Sequence, residues 1–100
     1  QEAVLDTDRI RAIRKLVNAP LVLHGSSGVT DDSIKKAIRE GVCKINVATA
    51  LNMAFTQGMS TTIKAKPNEV DPRRILSVSR EEVKKVVKQK IRLFGSNGKA

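Results

Sequence analysis

Residues 21–49, LVLHGSSGVTDDSIKKAIREGVCKINVAT, decide the fold. The stretch holds a short apolar run (Leu21–Leu23), a Gly/Ser turn, a segment with helical spacing, and a second apolar run (Val42–Val47). Two apolar runs joined by a helix-length connection favour parallel strands, since parallel strands require a crossover connection. Ligands of parallel α/β folds bind at the carboxyl ends of the strands. The sequence therefore predicts an α/β fold with two candidate binding loops, one after each strand.

Helical patterns flank and separate the two runs. A first helix, capped by Asp6 or Thr7, carries its apolar positions at Ile10, Ile13, Leu16 and Val17. A second helix is predicted from a cap at Thr30 or Asp31 to a stop at Gly41. After the second strand we expect a helix with Leu51, Ala54, Phe55 and Met59 in register, followed by a loop over 64–70. A short helical piece is predicted from Asp71-Pro72 through Leu76. A capping box at Ser79–Glu82 predicts the start of the last helix.

Length and composition bound the class of protein. We expect the 100 residues to form a single segment with no internal boundary. This length is far short of the roughly 250 residues of a closed eight-stranded α/β barrel. Two strands do not make a stable sheet alone, so the chain is predicted to be part of a larger α/β body. The sole cysteine, Cys43, excludes an internal disulfide and fits a reducing cytoplasm. Within its strand it is expected to be a small buried hydrophobe. No apolar run suits a membrane span.

Polar residues follow both predicted strands. His24-Gly25-Ser26-Ser27-Gly28 comes after the first, and Asn46-Val47-Ala48-Thr49 comes after the second. Glycines and serines next to a helix start suit phosphate, and an imidazole there can ligate a metal or transfer a proton. Taken alone, the first motif is more simply explained as a plain turn with a hydrogen-bonded histidine, and the second as a capping threonine beside a solvated asparagine. Together they match the phosphate loops that follow strands 7 and 8 of (β/α)8 barrels.

The segment LVLHGSSGVTDDSIKKAIREGVCKINVATAL and the ending VVKQKIRLFGSNGKA resemble the C-terminal third of class II, zinc-dependent ketose-bisphosphate aldolases of the tagatose- and fructose-bisphosphate type. The resemblance implies the C-terminal part of a (β/α)8 TIM barrel, with strands 7 and 8, their helices and a C-terminal helix. It also implies reversible cleavage of a ketose 1,6-bisphosphate to dihydroxyacetone phosphate and glyceraldehyde 3-phosphate, in a cytoplasmic homo-oligomer.

The same resemblance implies roles for particular residues. His24 would be one of three zinc ligands, and carbonyl groups near Gly25 and Ser27 would hold a monovalent cation, Na⁺ or K⁺. The phosphorylated sugar substrate would be bound by Gly25, Ser26, Ser27, Asn46, Val47, Ala48 and Thr49, with Arg80 a candidate for a second phosphate across a subunit interface. The other two histidines and the proton-transferring aspartate are expected upstream, so this segment alone holds no catalytic residue and is not expected to be active. Ala48 and Ala50 replace acidic residues of some fructose-type members.

The net charge of +9 leaves other interpretations open. A non-catalytic phosphate-binding α/β fragment would use the same two loops without turnover. A basic nucleic-acid-binding module would use the lysines of the last helix, although these also fit an ordinary solvated helix face. With two aromatic residues in the chain and no helix-turn-helix or zinc-finger pattern, nucleic acid is the disfavoured partner.

Overall fold

The computed structural model describes residues 2–100 of the chain. Its elements follow the predicted order of helices and strands. They are α1 (Thr7–Leu16), β1 (Leu21–Leu23), α2 (Asp31–Arg39), β2 (Val42–Ile45), α3 (Thr49–Ala65) and α4 (Pro72–Phe94). The chain divides into two compact units, Gln1–Val47 with Leu93–Ala100, and Ala48–Arg92. This division reflects how the residues contact one another and does not test whether the chain is a single segment of a barrel. That expectation therefore stays a prediction.

The two strands pair in parallel, as predicted. Leu21 lies opposite Val42 and Leu23 opposite Ile45, with an irregularity in register after Leu21 that leaves Cys43 without a partner residue. The expectation that Cys43 is buried is wrong: its side chain is exposed, and its Sγ lies 3.3 Å from the Gly41 carbonyl oxygen. The apolar sequence of β1 is typical of a buried strand, but Val22 is 44% exposed. In the part of the chain that the structure describes, each strand has one neighbour, so the sheet does not enclose these side chains.

The core of the first unit lies under α2. Ile34 and Ala37 of this helix are buried, together with Val42 of β2. The Ser33 hydroxyl, also buried, accepts a 2.7 Å hydrogen bond from the backbone N–H of Leu5 and so ties the N-terminal segment to α2. A second tie joins α1 to the end of α2, because the Arg11 guanidinium donates to both carboxylate oxygens of Glu40 at 2.8 and 2.7 Å.

The apolar stripe predicted for α1 is present but largely exposed. No residue of α1 is buried; Ile10 is half-buried, whereas Leu16 is 84% exposed. Apolar side chains arranged along one helix face normally pack against a neighbouring element. Within the described residues, the apolar face of α1 is therefore covered only in part.

Two helices pack closely within the second unit. Ser79 of α4 is fully buried, and its hydroxyl donates a 2.9 Å hydrogen bond to the Phe55 carbonyl oxygen of α3. The predicted capping box at Ser79 is wrong, because α4 runs without a break from Pro72 to Phe94. Ser79 is instead a small residue that lets the two helices approach, and no glycine or proline near it interrupts the helix. The predicted start at Asp71-Pro72 is confirmed, with the Asp71 carboxylate accepting from the Arg73 N–H at 3.0 Å.

The helix starts differ in how their free N–H groups are satisfied. Asp6 caps α1 and Thr30 caps α2, each through a side-chain oxygen. The N-cap of α3 is Ala48, which makes no side-chain cap hydrogen bond. The first-turn N–H groups of α3 are therefore left without the side-chain oxygen that the other helices have. Among residues 2–100, no helix combines the length and the apolar character that crossing a membrane requires.

Candidate functional site

His24 lies directly after β1, where the sequence predicts it. Its side chain is exposed, and the chain then turns through Gly25 and Gly28, whose φ angles are 64° and 79°. These left-handed conformations suit glycine, because a Cβ atom would crowd the backbone. The turn is closed by a 3.2 Å hydrogen bond from the Val29 N–H to the Ser26 carbonyl oxygen. The sequence thus folds here into a tight turn that leaves the imidazole at the strand end.

The side chains of His24 and Asn46 meet at this edge of the sheet. The Asn46 Nδ2 lies 2.9 Å from the His24 Nδ1. The backbone N–H of Asn46 donates to the Leu23 carbonyl oxygen at 3.0 Å, which continues the parallel pairing one residue beyond β2. Because parallel strands end at the same edge, their following residues are brought together, and the structure places these two predicted site residues in direct contact.

Ser26 crosses from the first loop to the second. Its hydroxyl donates a 3.1 Å hydrogen bond to the Asn46 carbonyl oxygen. A serine hydroxyl has one proton to donate, so in this arrangement the Ser26 hydroxyl has no proton left to donate to a ligand. Ser27, in contrast, is exposed on the same turn. The two serines that were both predicted to be phosphate donors therefore differ: Ser26 links the two loops, and Ser27 faces solvent.

The remaining predicted residues continue the chain. Val47 is half-buried in the first unit, whereas Ala48 and Thr49 are exposed at the start of α3 in the second unit. Thr49 also opens an uncharged groove of about 450 Å³ along α3, lined further by Asn52, Met53, Thr56, Gln57 and Ser60. Arg80, the candidate for a second phosphate, is exposed on α4 directly after the buried Ser79.

His24 is a suitable but single donor for a metal. A neutral imidazole is a common zinc ligand, and an exposed ring at a strand end is accessible to one. Among residues 2–100 there is no group of three or more His, Cys, Asp or Glu side chains able to hold a metal ion. The chain therefore fits zinc as the contributor of one ligand, and a complete site requires ligands from outside these residues.

Sequence reasoning identified the residues of this edge but missed how they interact. The sequence placed His24 and Asn46 at equivalent ends of two consecutive strands, but it predicted no contact between the two side chains. It also missed the link from Ser26 to the second loop. The signal available for both was the parallel pairing itself, which aligns Leu23 with Ile45 and so sets His24 beside Asn46.

A parallel pair of strands, each followed by a polar loop and a helix, defines an α/β segment of the kind that carries its binding loops at the carboxyl ends of the strands. The sequence model for "Fructose-bisphosphate aldolase class-II" matches residues 1–99. The chain is 48% identical over 100 residues to the sulfofructosephosphate aldolase of Alkalicoccus urumqiensis, covering 100% of this chain and 35% of that protein. It is 42% identical over 117 residues to the fructose-bisphosphate aldolase of Thermus caldophilus, covering 96% of this chain and 38% of that protein.

A solved structure gives the same result. The chain is similar to the YdjI aldolase from Escherichia coli K12, with a TM-score of 0.78 and 35% identity over 96% of this chain and 36% of that one. The chain belongs to the class II fructose-bisphosphate aldolase family, as its sequence motifs predicted. It spans about a third of the length of the relatives it matches.

Proposed function

We propose that this chain is the C-terminal third of a class II aldolase, contributing strands 7 and 8 of a (β/α)8 barrel to its active site. The observation that carries the proposal is the contact between His24 and Asn46 at the carboxyl ends of two parallel strands, with Nδ2 of Asn46 2.9 Å from Nδ1 of His24. The carboxyl end of the strands is where barrel enzymes bind substrate. The family membership of the whole chain supports the same assignment.

The complete protein would cleave a phosphorylated ketose by a retro-aldol reaction. In this chain, His24 would hold the metal by one ring nitrogen, with its further ligands supplied from outside the chain. Zinc, when bound, would supply a Lewis acid for the carbonyl oxygen of the substrate. The proton is moved by an acid–base group that we expect outside these residues.

The residues of this chain would bind and orient the substrate. The turn at Gly25, Ser26 and Ser27 and the uncapped start of α3 at Ala48 and Thr49 offer N–H groups and hydroxyls of the kind that hold a phosphate. The Asn46 amide and the Val47 backbone would contact the sugar next to it. Carbonyl groups of Gly25 and Ser27 would hold a monovalent cation, Na⁺ or K⁺. Arg80 would serve a second phosphate from a neighbouring subunit of a homo-oligomer, since arginine can hold phosphate through two N–H groups.

The identity of the sugar is a separate proposal. Fructose or tagatose 1,6-bisphosphate is our first candidate, with dihydroxyacetone phosphate and glyceraldehyde 3-phosphate as products. One relative is named a sulfofructosephosphate aldolase and another a fructose-bisphosphate aldolase. Both names describe a phosphorylated ketose, so we assign the phosphate loops to the phosphate that the two substrates share. The choice between substrates would then depend on contacts with the other end of the sugar.

The test is made on the complete aldolase that contains this segment. His24→Ala removes one metal ligand, so the variant should retain far less zinc than the wild type and lose aldol cleavage with it. Lys36→Ala, an exposed substitution on α2 between the two loops, is the matched control and should keep both. Full zinc occupancy and normal turnover in the His24 variant would refute the proposal. Phosphate binding without turnover in the wild type would instead favour a non-catalytic phosphate-binding fragment.

A further inference from the structure

Asn46 is held in place by three hydrogen bonds that involve different groups. Its N–H donates to the Leu23 carbonyl oxygen at 3.0 Å, and its carbonyl oxygen accepts from the Ser26 hydroxyl at 3.1 Å. Its side-chain amide contacts the imidazole of His24, which follows Leu23 directly, with 2.9 Å between Nδ2 and Nδ1. Both residues are thus fixed by the same parallel pairing, and the amide is oriented toward one ring nitrogen only.

The contact constrains where the imidazole carries its proton. A neutral histidine has one N–H and one acceptor nitrogen, and the hydrogen bond made by one nitrogen determines the state of the other. An amide N–H that donates to Nδ1 requires the lone pair there, which leaves the proton on Nε2. We propose that Asn46 is a positioning residue that sets the tautomer of His24, holding it in the Nε2–H form in the metal-free protein.

The amide also allows the opposite tautomer. Half a turn about its last side-chain bond exchanges the amino group for Oδ1, which accepts a hydrogen bond from Nδ1–H. The ring proton then leaves Nε2 for water and another enters at Nδ1, so the ring stays neutral and its Nε2 gains a lone pair. This step rests on the proposed function, in which His24 offers a ring nitrogen to zinc. A carboxylate at position 46 would accept only, and an aliphatic side chain would do neither.

Because His24 is the sole histidine of the chain, histidine-selective ¹⁵N labelling reports on it alone. The measurement uses the metal-free complete aldolase with only this 100-residue segment labelled, in a buffer of about pH 9, where imidazole is neutral. The ¹⁵N shifts of Nδ1 and Nε2 give the two tautomer populations. The wild type should be predominantly Nε2–H, Asn46→Asp predominantly Nδ1–H, and Asn46→Leu a mixture set by the ring itself. Lys35→Ala changes an exposed residue of α2 to which no role is assigned and should match the wild type.

A zinc titration read from the same Nε2 signal provides a second readout. Orienting groups of this kind change metal affinity by about 10- to 100-fold, so Asn46→Asp should bind zinc at least about tenfold more tightly than Asn46→Leu. Identical tautomer populations in the wild type, Asn46→Asp and Asn46→Leu would overturn the proposal, whether the cause is a missing contact or an unfolded chain. The measurement does not depend on aldol cleavage. If the tautomer populations change with the residue at position 46 but the enzyme has no aldolase activity, only the proposed function is rejected.

Discussion

Gly58 of α3 packs directly against Ser79 of α4. A Cβ atom added to Gly58 would lie 2.8 Å from the Ser79 Cα, a backbone atom that cannot move aside without shifting the helix. The Gly58 carbonyl oxygen also accepts a 2.8 Å hydrogen bond from the buried Thr62 hydroxyl, one turn further along the same helix. The closeness of the two helices therefore depends on the absence of a side chain at one position.

Gly58→Ala should destabilise the protein. Alanine favours the helix over glycine by about 1 kcal/mol, but the clash with the Ser79 backbone should cost about 1–3 kcal/mol as overpacking. We expect a net loss in the free energy of unfolding, measured by urea denaturation. Ser77→Ala on the exposed face of α4 is the control and should be neutral or slightly stabilising. A stabilised Gly58 variant would show that the helices do not approach as described.

Gly41→Ala should be destabilising for two separable reasons. The φ of Gly41 is 117°, a conformation that costs a residue with a Cβ about 1–3 kcal/mol. The space next to it is filled by the aliphatic part of the Arg14 side chain. Urea denaturation of Gly41→Ala, Arg14→Ala and the double variant separates the two effects. Arg14→Ala should relieve the steric part only, so the double variant remains less stable than Arg14→Ala alone; equal stabilities would contradict a backbone strain.

The pair of Arg11 and Glu40 should make stability depend on pH. The hydrogen bond from Arg11 lowers the pKa of the Glu40 carboxyl from its ordinary value of 4.5. A carboxyl group with a lowered pKa in the folded state contributes stability above its ordinary pKa and loses it as the pH falls through the lowered value. The stability difference between the wild type and Glu40→Gln should therefore be constant near neutral pH and shrink from about pH 4.5 downward.

Asp8→Asn provides the comparison for that experiment. Asp8 is also near Arg11, at 3.6 Å, but its side chain is 90% exposed. Exposed pairs of this kind contribute little and are screened by salt. We expect the Asp8 variant to unfold like the wild type at neutral pH. A difference for Glu40→Gln that persists unchanged in acid would contradict the assigned role of its carboxylate.

Thr49→Val, made in the complete aldolase, should weaken substrate binding while leaving the metal in place. The substitution keeps the shape of the side chain and deletes a hydroxyl that we assign to the substrate phosphate. Loss of a hydrogen bond to a charged group costs about 1–3 kcal/mol, equivalent to a KM raised by roughly 5- to 150-fold, with much of kcat retained. Thr56→Val, further along the same helix, should leave KM unchanged. An unaltered KM in the Thr49 variant would remove that residue from the site.

Local signals accounted for most of the fold. The caps at Asp6 and Thr30 and the start of α4 at Asp71-Pro72 were predictable, because each involves residues adjacent in the sequence. The break predicted at Ser79 failed because the burial of this serine depends on Gly58, which lies on another helix. The exposure of Cys43 depends on a register irregularity between strands, which the alternation of apolar residues does not encode.

The candidate site divides in the same way. The sequence predicted that His24 and Asn46 follow the ends of two parallel strands, and the parallel pairing brings those ends to one edge of the sheet. The direction of their hydrogen bond and the use of the Ser26 hydroxyl on the Asn46 carbonyl oxygen depend on side-chain rotation within the folded loops. Residue type alone does not determine such rotations, since serine and asparagine each have several possible partners.

The exposed thiol of Cys43 makes β2 a suitable site for a covalently attached reporter group. Because the chain has one cysteine, a maleimide fluorophore or nitroxide spin label would attach at a single position, beside Ile38, Ile45 and Phe94 around a hollow of about 210 Å³. The emission of the dye, or the mobility of the nitroxide, would then follow whatever comes to lie against β2. Labelling kinetics would register the same event, since a covered thiol reacts slowly.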